Sequence, residues 1–141
     1  MYKRQVKDTF VTTGYGRIGL SGDYGGTWLL ANLTNISIAK EMYFSCRKVG
    51  SEECYKLGIF NDVFEQDVFE TRVMKIAKNL AQMAPIALAN MKHNLNSVPK
   101  LTLSESLDLE AENLYQCVAT EDHKSAIRAF LEKRTPEFKG Y

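Results

Sequence analysis

Asp23 is the one charged residue in the run 18–31. A carboxylate in such surroundings has two readings. If partly desolvated, its pKa rises toward neutrality and it can remove and return a proton as a general acid/base. In a glycine-rich loop it can equally be a turn or helix-capping residue whose oxygens accept backbone N–H groups. Spacing leaves both open. The same loop contains Gly14-Tyr-Gly16-Arg-Ile-Gly19, a literal match to the dinucleotide-binding pattern. That pattern requires a strand before it and a helix opening inside it. Gly22, Gly25 and Gly26 follow at once, so no helix N-terminus is expected around Gly16 to hold a pyrophosphate, and NAD is not expected as a cofactor.

The remaining candidate groups are weaker. His93 and His123 are separated by 30 residues and have no nearby Cys or helical His partner, so metal ligation is not expected and both are read as lying on exposed helix faces. Cys46, Cys54 and Cys117 are an odd number with no Cys-x-x-Cys pair, which fits reduced, buried thiols rather than a disulfide framework or zinc knuckle. Residues 123–141 hold five Lys or Arg against two Glu, a bias that suits either a solvated helix end or a phosphate contact. Across 141 residues, 18 Lys+Arg balance 17 Asp+Glu, which removes the basic signature of a nucleic-acid binder. No apolar run approaches the ~18 residues of a membrane span and no apolar signal core opens the chain, so a soluble, cytoplasmic protein without membrane contact is expected.

The elements that must position these groups divide the chain. Six of the nine glycines lie between Gly14 and Gly26, whereas the last 80 residues contain only Gly140. Residues 9–13 have the β-branched and aromatic content of a strand leading into the loop. Trp28 to Ala31 reads as apolar helix or buried core, and Ile38, Ala39, Met42 and Tyr43 recur at helical spacing. A short helix is predicted over 51–57, with Ser51 as N-cap and Gly58 as C′ residue, followed by a buried strand over 59–64.

From Asp67 onward four helices are predicted. The first has an apolar stripe of Phe69, Val73, Ile76, Ala77 and Leu80, and Pro85 opens the second, which is expected to bury Leu88, Met91 and Leu95. Thr102-Leu-Ser-Glu105 is a capping box opening a third helix with Leu103, Leu107, Ala111, Leu114 and Val118 inward. The fourth starts at Thr120 with Glu121 and Asp122 in its first turn, ends at Lys133 and Arg134, and is stopped by Pro136.

Longer motifs decide more than these short ones. Gly16-Arg-Ile-Gly-Leu-Ser-Gly-Asp-Tyr-Gly-Gly-Thr-Trp28, Ala39-Lys-Glu, Glu52-Glu-Cys-Tyr-Lys-Leu-Gly-Ile-Phe-Asn61, Met91-Lys, Thr120-Glu-Asp-His-Lys and Phe130-Leu-Glu-Lys-Arg-Thr-Pro136 follow one another along nearly the whole chain. In order and spacing they resemble the C-terminal half of a crotonase-family protein, the enoyl-CoA hydratase and isomerase group. The resemblance implies an α/β, crotonase-like (ClpP/crotonase spiral) fold. Of it, residues 9–64 are the end of the ββα spiral core with the active-site loop, and residues 65–141 are a helical C-terminal trimerisation region. Residues 1–8 do not resemble the family and read as a foreign or artefactual start. The chain therefore looks like a truncated fragment that begins after the two backbone amides with which family members stabilise an enolate oxyanion, and it is expected to be inactive alone.

The resemblance also implies roles. Asp23 matches the proton-shuttling aspartate of members with a Gly-Leu-x-x-Asp loop, among them isomerases of dienoyl-CoA and of ring-epoxide phenylacetyl-CoA. Hydratases instead place a glutamate four residues before the loop glycine, here Gly19, and that position is Tyr15. Isomerisation with one carboxylate therefore fits the visible residues better than two-carboxylate hydration. Tyr15, Leu20, Gly22, Tyr24 and Trp28 are implied substrate-binding positions. Phe130 and Lys133 match positions that reach a neighbouring subunit's acyl-CoA, although Phe130 could instead continue the core side of Ile127 and Leu131. The implied partner is an acyl-CoA thioester of fatty acid metabolism, with coenzyme A as part of the substrate and no other cofactor, in a homotrimer or dimer of trimers. The competing expectation is a non-catalytic helical oligomerisation module.

Overall fold

The structure is a computed structural model that describes residues 3–141. It divides into two compact units, Met1–Lys75 and Ile76–Tyr141. The first contains β1 (Arg4–Val6), β2 (Phe10–Val11), α1 (Gly26–Leu33), α2 (Ile36–Ser45), β3 (Val49–Gly50), α3 (Ser51–Lys56) and β4 (Asp62–Phe64). The boundary between units falls within α4 (Gln66–Ala81), after which come α5 (Pro85–Ser97), α6 (Leu103–Val118) and α7 (Glu121–Leu131).

In the first unit β1 pairs parallel with β4, Gln5 opposite Val63, and β2 pairs antiparallel with β3, Phe10 opposite Gly50. Both strands foreseen in the sequence are shorter than expected. Only Phe10–Val11 of 9–13 is strand, because Thr12 and Thr13 turn their hydroxyls to the carbonyls of Cys46 and Met42 at 3.1 and 3.0 Å, at the C-terminal end of α2. Ile59 and Phe60 are buried but precede the ladder. The Ile59 N–H closes the end of α3 on Cys54 O at 2.8 Å, and Gly58 takes the left-handed C′ conformation (φ 76°) foreseen for it. Ser51 is not the N-cap of α3. Gly50 is, and the Ser51 hydroxyl donates to the carbonyl of Lys7 instead.

The core of this unit is Leu30, Ala39, Met42, Val49, Cys54, Ile59 and Phe60. Asn35 starts α2 by accepting the N–H groups of Ser37 and Ile38 at 2.9 and 3.0 Å, which aims Ala39 and Met42 inward one turn later. Arg47 then clamps the α2–α3 connection with two hydrogen bonds to Glu53 (2.9 and 2.6 Å) and one to Glu41 (2.8 Å). The guanidinium beside Glu53 holds that carboxyl below the usual carboxylate range.

In the second unit the local signals hold. Thr102 and Glu105 form the capping box, and Thr120 caps α7 on His123 N at 3.1 Å. What α6 buries differs from expectation. Leu103 and Leu114 are 77% and 65% exposed, Leu107, Ala111 and Val118 are exposed too, and Asn113 is the buried residue of the helix. Its amide donates to Asn94 Oδ1 at 2.5 Å, while Asn90 of α5 donates to its carbonyl at 3.2 Å. The α5–α6 contact is thus a polar ladder, and the leucine stripe lies on the other side, uncovered within the unit. Met91 and Leu95 of α5 are likewise exposed, and His123 is half-buried rather than exposed. Helix α7 stops at Leu131, short of Lys133, which takes a left-handed φ of 54°. Buried Asp122 accepts the N–H groups of Lys139 and Gly140 at 2.7 and 2.8 Å and so pins the C-terminal segment to the start of α7. Cys46, Cys54 and Cys117 are free thiols, the last of them only half-buried. Among the described residues no helix is long and apolar enough to cross a membrane.

Candidate active site in the glycine-rich loop

Between β2 and α1 the chain makes one 3-10 turn, Tyr15–Ile18, and runs without further regular structure until Gly26. No α-helix opens within Gly14–Gly19, so the arrangement that would cradle a dinucleotide pyrophosphate is absent there. The loop instead doubles back over α2. Gly22, at φ 118°, lies where a Cβ would come 3.2 Å from Cε1 of Tyr43, and a Cβ on Gly26 would stand 2.5 Å from the Tyr43 hydroxyl oxygen. Gly26 leaves no room for a side chain beside the Tyr43 hydroxyl, and Gly22 takes a φ that L side chains rarely adopt, with the Tyr43 ring close by.

This path brings residues 15 and 23 together. The Tyr15 hydroxyl donates a hydrogen bond to Oδ1 of Asp23. The Tyr15 ring lies parallel to that of Tyr43, with centroids 6.1 Å apart and planes within 4°. The Asp23 hydrogen bond and, secondarily, burial push the Tyr15 phenol above its ordinary value; burial and then the Asp23 charge do the same for Tyr43. Helix α1 is capped at Gly25 without a side-chain bond, so the Asp23 carboxylate engages a phenol and not the helix N-terminus.

The other expected site residues are distributed as follows. Leu20, Tyr24 and Trp28 present their side chains to solvent at 58%, 95% and 57% exposure, around the loop and the first turn of α1. Phe130, in the last turn of α7, is 82% exposed, with Ile127 and Leu131 exposed beside it, so it is no part of the core of its unit. Lys133 is exposed just beyond that helix. Tyr43 joins the site although the sequence does not mark it as a site residue. Its helical spacing marked only a core face, and the signal that could have found it is the pair Gly22 and Gly26, which demands a bulky neighbour.

An expected result follows for the platform. Gly26→Ala should destabilise the fold by about 1–3 kcal/mol, the usual cost of overpacking, because Tyr43 cannot withdraw without losing its stack on Tyr15. Urea denaturation checks this, and the added substitution Tyr43→Phe, which removes the crowding oxygen, should recover part of the loss.

Residues 8–141 match the family described as Enoyl-CoA hydratase/isomerase. The chain belongs to the enoyl-CoA hydratase/isomerase family. Among curated members, the short-chain-enoyl-CoA hydratase of Clostridium acetobutylicum is 30% identical over 120 residues, covering 85% of this chain and 46% of that protein. The 1,2-epoxyphenylacetyl-CoA isomerase of Escherichia coli is 30% identical over 128 residues, covering 89% of this chain and 48% of that protein. The crystal structure of an enoyl-CoA hydratase from Polaromonas sp. JS666 superposes with a TM-score of 0.91 at 28% identity, over 98% of this chain and 54% of that one. The fold is therefore α/β of the crotonase type, and the chain spans about half the length of the family members it matches.

Proposed function

We propose that this chain supplies the acid/base loop of an acyl-CoA isomerase, with Asp23 as the general acid/base for a double-bond shift in an enoyl-CoA thioester. The observation that carries the reading is the Tyr15–Asp23 hydrogen bond within a family-matching loop. Asp23 takes the proton from C2 of a 3-enoyl thioester, the C–H electron pair enters a dienolate whose charge rests on the thioester oxygen, and the same proton returns at C4. The product is the conjugated 2-enoyl thioester, and the carboxylate is regenerated. Hydration would need a second group to activate water. Tyr15 stands where the resemblance puts the hydratase glutamate, and a phenol pushed above its ordinary value stays protonated at neutral pH and cannot act as that base.

Coenzyme A enters only as part of the substrate. Leu20, Gly22, Tyr24 and Trp28 border the acyl group. Phe130 and Lys133 serve a neighbouring subunit, the ring against its acyl chain and the ammonium as a point charge toward a coenzyme A phosphate. The uncovered face of Leu103, Leu107, Leu114 and Val118 supports a homotrimer or dimer of trimers, and the setting is cytoplasmic fatty acid metabolism. That same face favours a second reading, an oligomerisation module without chemistry.

The test is a 3-enoyl-CoA assay on two samples. The 141 residues alone are expected to give no turnover, since the family's oxyanion-stabilising amides belong to sequence ahead of the matched region and such stabilisation is usually the largest catalytic contribution. A full chain, meaning these residues within a protein of the length of the family members they match, is expected to produce 2-enoyl-CoA. A full chain that assembles and binds acyl-CoA without converting it would establish the second reading instead.

A further inference from the structure

The carboxylate of Asp23 is not symmetric in its surroundings. Oδ1 accepts the Tyr15 hydroxyl, whereas Oδ2 takes no hydrogen bond from any described residue. Behind Tyr15 stands a line of support: its ring is parallel to and offset from that of Tyr43, with centroids 6.1 Å apart, Tyr43 belongs to α2, and the adjacent Met42 is fully buried in the core. A carboxylate alone turns easily about χ2, which interchanges its two oxygens. A hydroxyl bonded to one of the two oxygens opposes that interchange.

We infer that Tyr15 is a positioning residue whose hydroxyl holds Oδ1 of Asp23 and leaves Oδ2 as the oxygen that carries the substrate proton. This rests on the acid/base role proposed for Asp23 and adds a division of labour between its oxygens. The C2 proton passes to Oδ2 as the C–H electron pair enters the dienolate, and Oδ2 delivers the same proton to C4. Tyr15 keeps its own proton throughout. Two phenols, Tyr15 and Tyr43, feel the Asp23 carboxylate, and both are pushed up, which favours their neutral form beside it. Tyr15 is thus a donor that does not compete as an acid, which separates its task from that of a second catalytic group.

The experiment compares wild type, Tyr15→Phe, Tyr15→Leu and Asp23→Asn in the full chain with 3-enoyl-CoA. Tyr15→Phe keeps the ring and removes only the hydroxyl. It should lower kcat about ten- to hundredfold, the range for losing a hydrogen bond to a charged group, with KM near wild type. A difference titration of tyrosinate absorbance, wild type against Tyr15→Phe, isolates one phenol. It should titrate above the ordinary tyrosine range, and in Asp23→Asn, where the charge is gone but an acceptor remains, it should fall part of the way back. Full kcat in Tyr15→Phe with loss only in Tyr15→Leu would make Tyr15 a packing residue and overturn the inference, as would a phenol that titrates normally. If Asp23→Asn itself keeps full kcat, the acid/base reading fails, a result distinct from either of these.

Discussion

Asp23→Asn in the full chain is expected to lower kcat for the double-bond shift by about 10²–10⁴-fold, the usual contribution of a positioned general acid/base. The substitution is nearly isosteric. The amide oxygen can still accept the Tyr15 hydroxyl, so the loop should keep its path and the acyl-CoA its KM. What the substitution removes is the negative charge that, in the proposed reaction, takes the C2 proton and then returns it. Steady-state kinetics beside a urea denaturation curve separate chemistry from folding. A variant with wild-type kcat would return Asp23 to a loop-shaping role, leaving its hydrogen bond to Tyr15 as structure only.

Met42→Ala should have the largest effect on stability, a loss of about 2–5 kcal/mol as for other buried Met or Leu truncations. Met42 is fully buried among Leu30, Ala39, Val49, Cys54, Ile59 and Phe60, in a unit whose strands are only two or three residues long. Those strands offer little means of collapsing onto the cavity. Its backbone carbonyl also accepts the Thr13 hydroxyl at 3.0 Å, which ties the beginning of the loop to α2. Loosening this side chain therefore loosens the platform that seats Tyr43 and, through it, Tyr15. Met42→Leu, close to volume-conserving, should cost less than about 1.5 kcal/mol. A denaturant midpoint for Met42→Ala indistinguishable from wild type would mean that the core does not depend on this contact.

These two results concern different distances along the chain, and so does the legibility of the molecule. Caps and turns were readable because they involve neighbours in sequence. The Thr102–Glu105 capping box, the Thr120 cap, Pro85 at the opening of α5 and Gly58 at the close of α3 all appear as foreseen. The family was readable as well, because its motifs are long and ordered. Ser51 shows how narrow the local margin is. A cap position moved by one residue because its hydroxyl found the carbonyl of Lys7, 44 residues away in sequence.

Periodicity behaved differently. The 3.6-residue spacing of Leu103, Leu107, Leu114 and Val118 correctly marks an apolar face on α6, but spacing says nothing about what lies against it. Within the unit α5 meets the opposite face through Asn90, Asn94 and Asn113, so the leucines remain exposed. Amides satisfy one another only at particular distances, whereas apolar side chains accept any dry neighbour, and so the polar ladder sets which face turns inward.

Asp23 was identifiable as the candidate base from its isolation among uncharged residues and from the family motif. Whether it caps a helix or meets another side chain depends on the course of the loop through Gly22, Tyr24 and Gly25, all left-handed or otherwise at positive φ. Residue types permit such dihedrals; they do not sum them into an end point. The meeting of Tyr15 with Asp23, and the support of both by a Tyr43 drawn from a separate helix, are fixed by contacts across the chain that no local pattern encodes. Motif order thus determined the family to which the chain belongs, and the packing of the loop on α2 decided which oxygen of Asp23 meets Tyr15, because that meeting depends on dihedrals and contacts summed over the whole loop.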